Sequence, residues 1–118
     1  MEASTADCLF CKIVAGEVPA TIVRETGTAL AFRDINPQAP THVLVIPKEH
    51  HPTAAELAAA SPALLADVVT LAAEVAAEEG VDGTGYRIVL NTGPHAGQTV
   101  FHVHAHLLGG RGLEWPPG

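Results

Sequence analysis

Residues 101–108 read FHVHAHLL: three histidines at alternate positions, His102, His104 and His106, with apolar residues between and after them. Alternation of this kind is the period of a β-strand, in which residues i, i+2 and i+4 share a face. Residues 100–108 are therefore predicted to be the last strand. The histidines would lie on one side, with Val103, Ala105 and Leu107 on the other, under a helix. Three neutral imidazoles in a row are costly to bury unless each finds a partner. Three readings follow: a structural ladder of hydrogen-bonded histidines, a metal trio, or nucleophilic and acid–base chemistry. The preceding stretch, NTGPHAGQT (91–99), bears on the choice. Gly93 and Gly97 let a backbone approach a ligand closely. Successive N–H groups there can hold a phosphate, and Gln98 and Thr99 add side-chain donors. A phosphate held beside an imidazole invites attack by that imidazole. A glycine-rich loop alone says little, but one that runs at once into H-x-H-x-H points to phosphate chemistry.

Outward from this strand the chain punctuates itself clearly. GYRIVLN (85–91) is a strand, and residues 62–79 form the best helix. Ser61 is its N-cap, Pro62 fits the first turn and Gly80 the stop. Leu64, Leu65, Val68, Leu71, Ala72, Val75 and Ala76 make one apolar stripe, with Asp67, Thr70, Glu74 and Glu78 away from it. That is the pattern of a helix packed on a sheet, with no chemistry of its own. Thr53 and Glu56 form a capping box. HVLVIP (42–47) is a buried strand, and NPQAP (36–40) a loop. TIVRE (21–25) and ALAFRDI (29–35) pair as a hairpin through TGT. DCLFCKIVAGEVP (7–19) is a short helix capped by Asp7 and ended by Gly16 and Pro19. Both the first and the last strand pairs close without a crossover helix, so an α+β fold with a mainly antiparallel sheet is expected.

The 118 residues suit one domain, 1–118. Thirteen acids against six Lys and Arg leave a net charge of −7. That disfavours a broad surface for polymeric nucleic acid or an anionic membrane, though not a small anion in a local pocket. MEASTADC has no basic and apolar leader pattern, and no apolar run approaches the ~18 residues of a spanning helix. The expected location is the cytoplasm. There the only two cysteines, Cys8 and Cys11, read as a metal half-site or a redox pair rather than a structural disulfide. A thioredoxin-like pair would need a βαβ context, and none surrounds CLFC.

His102-Val103-His104-Ala105-His106-Leu107-Leu108 matches the His-φ-His-φ-His-φ-φ pattern (φ apolar) of the histidine triad (HIT) family. The resemblance covers nearly the whole chain. CLFCKIVAGEVPA resembles the family's opening helix, LAFRDINPQAPTHVLVIPKEH its nucleoside-binding hairpin, and NTGPHAGQTVFHVHAHLLGGR its phosphate loop and triad. The closing WPPG is similar to that of the nucleotide-binding, adenosine phosphoramidase branch. The resemblance implies a HIT-like fold: a five-stranded sheet with one long and one or two short helices, and a homodimer forming a ten-stranded sheet. It implies hydrolysis of purine nucleoside phosphoramidates, or of acyl-adenylates, through a nucleotidyl-histidine intermediate that releases a nucleoside monophosphate such as AMP. His104 would be the nucleophile, His106 would hold a phosphate oxygen, His42 would support the triad, and Thr99 would contact the leaving group. Asn91, Gln98 and the N–H groups of Gly97 to Val100 would bind phosphate. Asp34 would accept from the ribose hydroxyls, its alternative being turn capping. Phe10, Ile13, Phe32 and Ile35 would wall the purine, or simply pack the core.

The third triad position is His106, not the glutamine of the family's nucleotidyl transferases, which favours hydrolysis. GGR follows the triad, not the proline-arginine of the dinucleoside polyphosphate hydrolases. That activity, a nucleotide-binding regulatory module with vestigial turnover, and a metal-dependent hydrolase using H-x-H as ligands are the rival functions. Zinc-bearing members of the family add to the two cysteines a histidine after PK-x and the first triad histidine. Here Cys8, Cys11, His50 and His102 would hold a structural zinc, with His51 an adjacent competitor. Arg33 stands where the branch commonly has histidine, and Phe101 where it commonly has tyrosine. Leu113 and Glu114 replace a more polar tail before Trp115.

Overall fold

The computed structural model describes residues 5–118, so the leader reading of the opening residues lies partly outside it. The elements are α1 (Leu9–Val14), β1 (Ile22–Glu25), β2 (Ala29–Arg33), β3 (Thr41–Pro47), α2 (Ala54–Ala60), α3 (Pro62–Glu78), β4 (Tyr86–Val89) and β5 (Ala105–Gly109). The strands make one sheet in the order β1-β2-β3-β5-β4, with every neighbouring pair antiparallel. This is the expected α+β fold with five strands and three helices. The central strand is β3, which carries His42, and β5 beside it carries His106.

Strand alternation separates two apolar clusters. Ala29, Ala31, Val43, Val45, Ala105 and Leu107 meet Val68, Leu71, Ala72, Val75 and Ala76 of α3. Three alanines on that face let the long helix approach closely. On the opposite face Leu30, Phe32, Leu44 and Ile46 pack with Cys8 and Phe10, so α1 covers only part of the sheet. Helix α3 forms as its caps dictate: the Ser61 side chain accepts from the Leu64 N–H, Pro62 occupies the first turn, and Gly80 follows the C-cap with φ +74°. Removing side-chain volume here leaves a cavity that a close-packed core does not refill. Leu71→Ala is expected to destabilise the protein by about 3 kcal/mol. It would read as a lower urea midpoint at unchanged slope.

Two sequence readings are corrected. The cap of α1 is Cys8, whose sulfur accepts from the Cys11 N–H at 3.4 Å; Asp7 belongs to the 3₁₀ turn Thr5–Asp7 that precedes it. The last strand begins at Ala105, not at residue 100. Before that point the backbone leaves the ladder: the Val103 N–H donates 2.8 Å to the His51 carbonyl instead of to β3. The three histidines are therefore not three teeth of one strand, because only His106 lies in β5.

Candidate active site

The face of the sheet that α1 leaves open holds a cavity of about 690 Å³. It is lined by Leu9, Phe10 and Ile13 of α1, residues 18–21 and 32–35, Leu44, Thr99, Val100, His104 and His106. The β3–β5 register, Leu44 opposite His106 and His42 opposite Leu108, sets His106 over the cavity floor. The Phe10 ring stands edge-on to Phe32 (centroids 5.6 Å) and to His104 (5.0 Å).

The hydrogen bonds fix which nitrogen of each imidazole carries its proton. The Gln38 N–H donates 3.0 Å to His42 Nδ1, so the proton of neutral His42 sits on Nε2. That Nε2 lies 2.9 Å from His106 Nδ1, to which it donates, and 3.5 Å from Asp34 Oδ2. His106 is thereby left with its own proton on Nε2, available as a donor. His104 is set the other way: its Nδ1–H donates 2.8 Å to the His102 carbonyl, leaving the Nε2 lone pair unused. One imidazole presents a bare lone pair and its neighbour, 5.0 Å away by ring centroid, an N–H. Burial lowers the pKa of His42 and His104, against the nearby charge of Asp34 in both cases and the His102 hydrogen bond in the second. Burial, and then the neighbouring His104 and His42, bring His106 down to about 4. A second proton on His106 Nδ1 would also face the His42 Nε2–H, which adds to the effect of burial. The same tautomer argument disqualifies Asp34, His42 and His106 as a metal set, although their donor atoms cluster within 4.8 Å. His42 Nε2 has no free lone pair while Nδ1 accepts from Gln38.

Asp34 makes the turn bond, its Oδ1 accepting from the Asn36 N–H at 2.8 Å, while Oδ2 faces the histidines, 3.5 Å from His42 Nε2. Ile35 lies at the rim with its side chain fully exposed rather than walling the cavity. Arg33, at the cavity edge, turns its guanidinium to the Glu79 carboxylate at the end of α3, holding Glu79 below its ordinary pKa. Asn91, Gly97 and Gln98 do not line the cavity. The Gly97 and Gln98 N–H groups close turns onto Pro94 and Gly93 at 3.0 Å each. The Gln98 side chain is 4% exposed, and its amide is fully committed. Oε1 accepts from the Gly93 N–H (2.9 Å), while Nε2 donates to the Pro52 (2.8 Å) and Val100 (3.2 Å) carbonyls. This corrects its expected role as a side-chain donor to phosphate. Thr99 and Val100 N–H remain without a hydrogen-bond partner among the described residues. The sequence reading missed residues 18–21, which run from α1 over the cavity. They carry no chemistry-bearing side chain other than the Thr21 hydroxyl, so no local signal marks them.

Beneath α1 lies a second cluster. The donor atoms of Cys8, Cys11, His50 and His102 all fall within 4.8 Å of one another. His102 Nδ1 is 3.4 Å from Cys8 Sγ and 3.5 Å from Cys11 Sγ, and His50 Nδ1 is 3.4 Å from Cys11 Sγ. A tetrahedral zinc with bonds of about 2.3 Å to sulfur and about 2.0–2.1 Å to nitrogen sets those ligands about 3.5 Å apart. The residues fit such an ion. His102 Nε2–H donates 2.8 Å to the Pro47 carbonyl, which turns the Nδ1 lone pair to the cluster. Burial brings His102 down to about 4, keeping it in the neutral, ligating form. Burial first, and then Cys8, pushes the Cys11 thiol up to about 11. Ligation needs the thiolate, which a cation at the cluster would stabilise. His51 is bonded to Glu49 instead, at 2.8 Å, so His50 is the third member.

The HIT domain model matches residues 15–113. A purine nucleoside phosphoramidase from Escherichia coli is 46% identical over 107 residues, 91% of this chain and 90% of its own length. A 14 kDa zinc-binding protein from Zea mays is 49% identical over 113 residues, covering 93% and 87%. The solved structure of a HIT family hydrolase from Legionella pneumophila superposes with a TM-score of 0.91 at 52% identity, covering 95% of this chain and all of that one. The chain belongs to the HIT domain family.

Proposed function

We propose that this HIT domain chain hydrolyses the P–N bond of purine nucleoside phosphoramidates, with acyl-adenylates as chemically related substrates. The observation that carries the reading is the opposed pair of tautomers, a bare Nε2 on His104 beside an Nε2–H on His106. The His104 lone pair attacks the α-phosphorus and the P–N bond breaks. The leaving nitrogen takes a proton from solvent at the Thr99 side of the cavity and departs as the neutral amine, leaving the phosphoryl group on Nε2 of a cationic His104 ring. The developing negative charge on a phosphate oxygen is met by His106 Nε2–H and the free N–H groups of Thr99 and Val100. Water then attacks the phosphorus and the P–Nε2 bond breaks; the water's proton goes to solvent, replacing the one taken by the amine, the nucleoside monophosphate departs, and His104 is neutral again. Phe10, Ile13 and Phe32 hold the purine, Ile35 closes its rim, and Asp34 Oδ2 accepts from the ribose. Gly97 and Gln98 shape the phosphate loop, and Asn91 stands at the end of the strand that enters it. The similarity to the Escherichia coli phosphoramidase supports the substrate class.

Cys8, Cys11, His50 and His102 are proposed to hold a structural zinc, which the similarity to the maize zinc-binding protein supports. The protein is proposed to act in the cytoplasm as a homodimer of single-domain chains. Trp115, 83% exposed in the isolated chain, is a residue for a partner subunit to cover. Among the described residues no helix is long and apolar enough to cross a membrane.

Incubation with adenosine 5′-phosphoramidate tests the reading: release of AMP and ammonia supports it. A folded protein that binds AMP without turnover would leave only a binding module. The pH dependence is a second expected result. The working forms of His42 and His106 are neutral, and both titrate below the ordinary histidine value. Lowering the pH from 8 to about 7 should therefore leave kcat unchanged. The fall should come at lower pH, as protonation breaks the donor chain from Gln38 through His42 to His106. A kcat profile with its midpoint near pH 6.5 would contradict this arrangement.

A further inference from the structure

We propose that the Cys8–Cys11–His50–His102 cluster is a positioning device for the nucleotide site. It would act through the segment His50-His51-Pro52, so that metal and nucleotide strengthen each other's binding. The proposal rests on the nucleotide reading given above. Three consecutive residues reach three parts of the site. His50 joins the cluster through Nδ1, 3.4 Å from Cys11 Sγ. The His51 carbonyl accepts from the Val103 N–H at 2.8 Å, between the ligand His102 and the nucleophile His104. The Pro52 carbonyl accepts from the buried Gln98 amide at 2.8 Å, and Gln98 in turn holds Gly93 and Val100, the two sides of the phosphate loop. The segment is thus a strut between the cluster and the loop.

What holds the strut at its cluster end is the cluster itself. His50 Nε2 is buried and has no hydrogen-bond partner among the described residues. Its ring is therefore fixed by Nδ1 and by edge-on contact with His102 at 5.1 Å. On the other side, the turn that supplies both cysteines carries Phe10 between them. Phe10 stands 5.0 Å from the His104 ring and lines the cavity. Ordering the four ligands orders the strut, the loop and Phe10 together. A nucleotide that orders the loop and Phe10 first relieves the metal of part of that ordering. Coupling of this kind is reciprocal by thermodynamic necessity.

The experiment is a zinc titration against a chromophoric chelator, with and without saturating AMP, after AMP binding has been measured by calorimetry. The full chain is used. In wild type, AMP should tighten zinc binding roughly fivefold or more. In Gln98→Met, which keeps the volume but loses all three amide bonds, the factor should shrink toward one while zinc still binds. In Gln98→Glu, which keeps only the acceptor toward Gly93, it should be intermediate. If AMP and zinc both bind wild type and the zinc affinity is the same with and without AMP, the coupling is overturned while the nucleotide reading stands. A wild-type chain that fails to bind AMP would take the nucleotide reading down, and one that binds no zinc would overturn the positioning role. If either variant fails to fold, the wild-type factor decides alone.

Discussion

Replacing His104 by alanine is expected to lower kcat on adenosine 5′-phosphoramidate by roughly a thousandfold or more, with nucleotide affinity little changed. Removing the attacking group removes the covalent route, and the residual rate is what binding and oriented donors supply alone. The geometry makes the expectation specific. His104 is the site's imidazole with Nδ1 tied to a backbone carbonyl and Nε2 bare, whereas His106 Nδ1 already accepts from His42. No neighbour stands ready to replace it. Rapid quenching of wild type during turnover should yield a nucleotidyl adduct mapping to the peptide that contains His104, and none in His104→Ala. An adduct on another residue, or a variant within tenfold of wild type, would refute the assignment.

Cys8→Ala is expected to abolish stoichiometric zinc and to lower the thermal midpoint by about 10 °C or more. Structural zinc contributes folding free energy directly because its site does not exist in the unfolded chain. Cys8 also caps α1, so the substitution removes a ligand and a helix cap together. A loss of about 3 kcal/mol translates to a shift of this size in a chain of this length. Metal analysis of protein purified without chelator, combined with scanning calorimetry, is the check. Cys11→Ser, which leaves the cap in place, should lose zinc with a smaller thermal shift. Equal midpoints with and without chelator in wild type would remove the structural role.

How much of this was legible in the sequence depended on how local the cause was. Helix α3 was readable because its determinants, Ser61, Pro62, the apolar stripe and Gly80, lie within or beside it. The extent of β5 was not. The backbone before Ala105 is diverted by the His51 carbonyl and His102 by the cysteines, partners separated by 52 and 94 positions or so along the chain, and strand period carries no trace of them. Cys8 as a cap escaped notice for a simpler reason: thiols are rare in that role, and Asp7 beside it fits the usual preference. Gln98 shows the limit most clearly. A glutamine in a glycine-rich loop looks like a donor aimed at a ligand, yet its amide faces Pro52 and is buried. The tautomers of His42 and His106 required the fold, since one is set by the Gln38 N–H and the other by the His42 ring across the sheet, whereas that of His104 is set by the carbonyl of His102, two residues before it.

The order β1-β2-β3-β5-β4 also determines when the site would be lost as the protein opens. Fluctuations that expose backbone amides to exchange begin at sheet edges and termini and reach the centre only near global unfolding. The edges here are β1 and β4, whereas His42 and His106 sit on two of the three interior strands, each hydrogen-bonded on both sides. Fraying of either edge leaves the pair of imidazoles in register. The His42–His106 pair is therefore expected among the slowest-exchanging parts of the sheet, and partial unfolding is expected to trim the rim of the cavity before it separates the two rings.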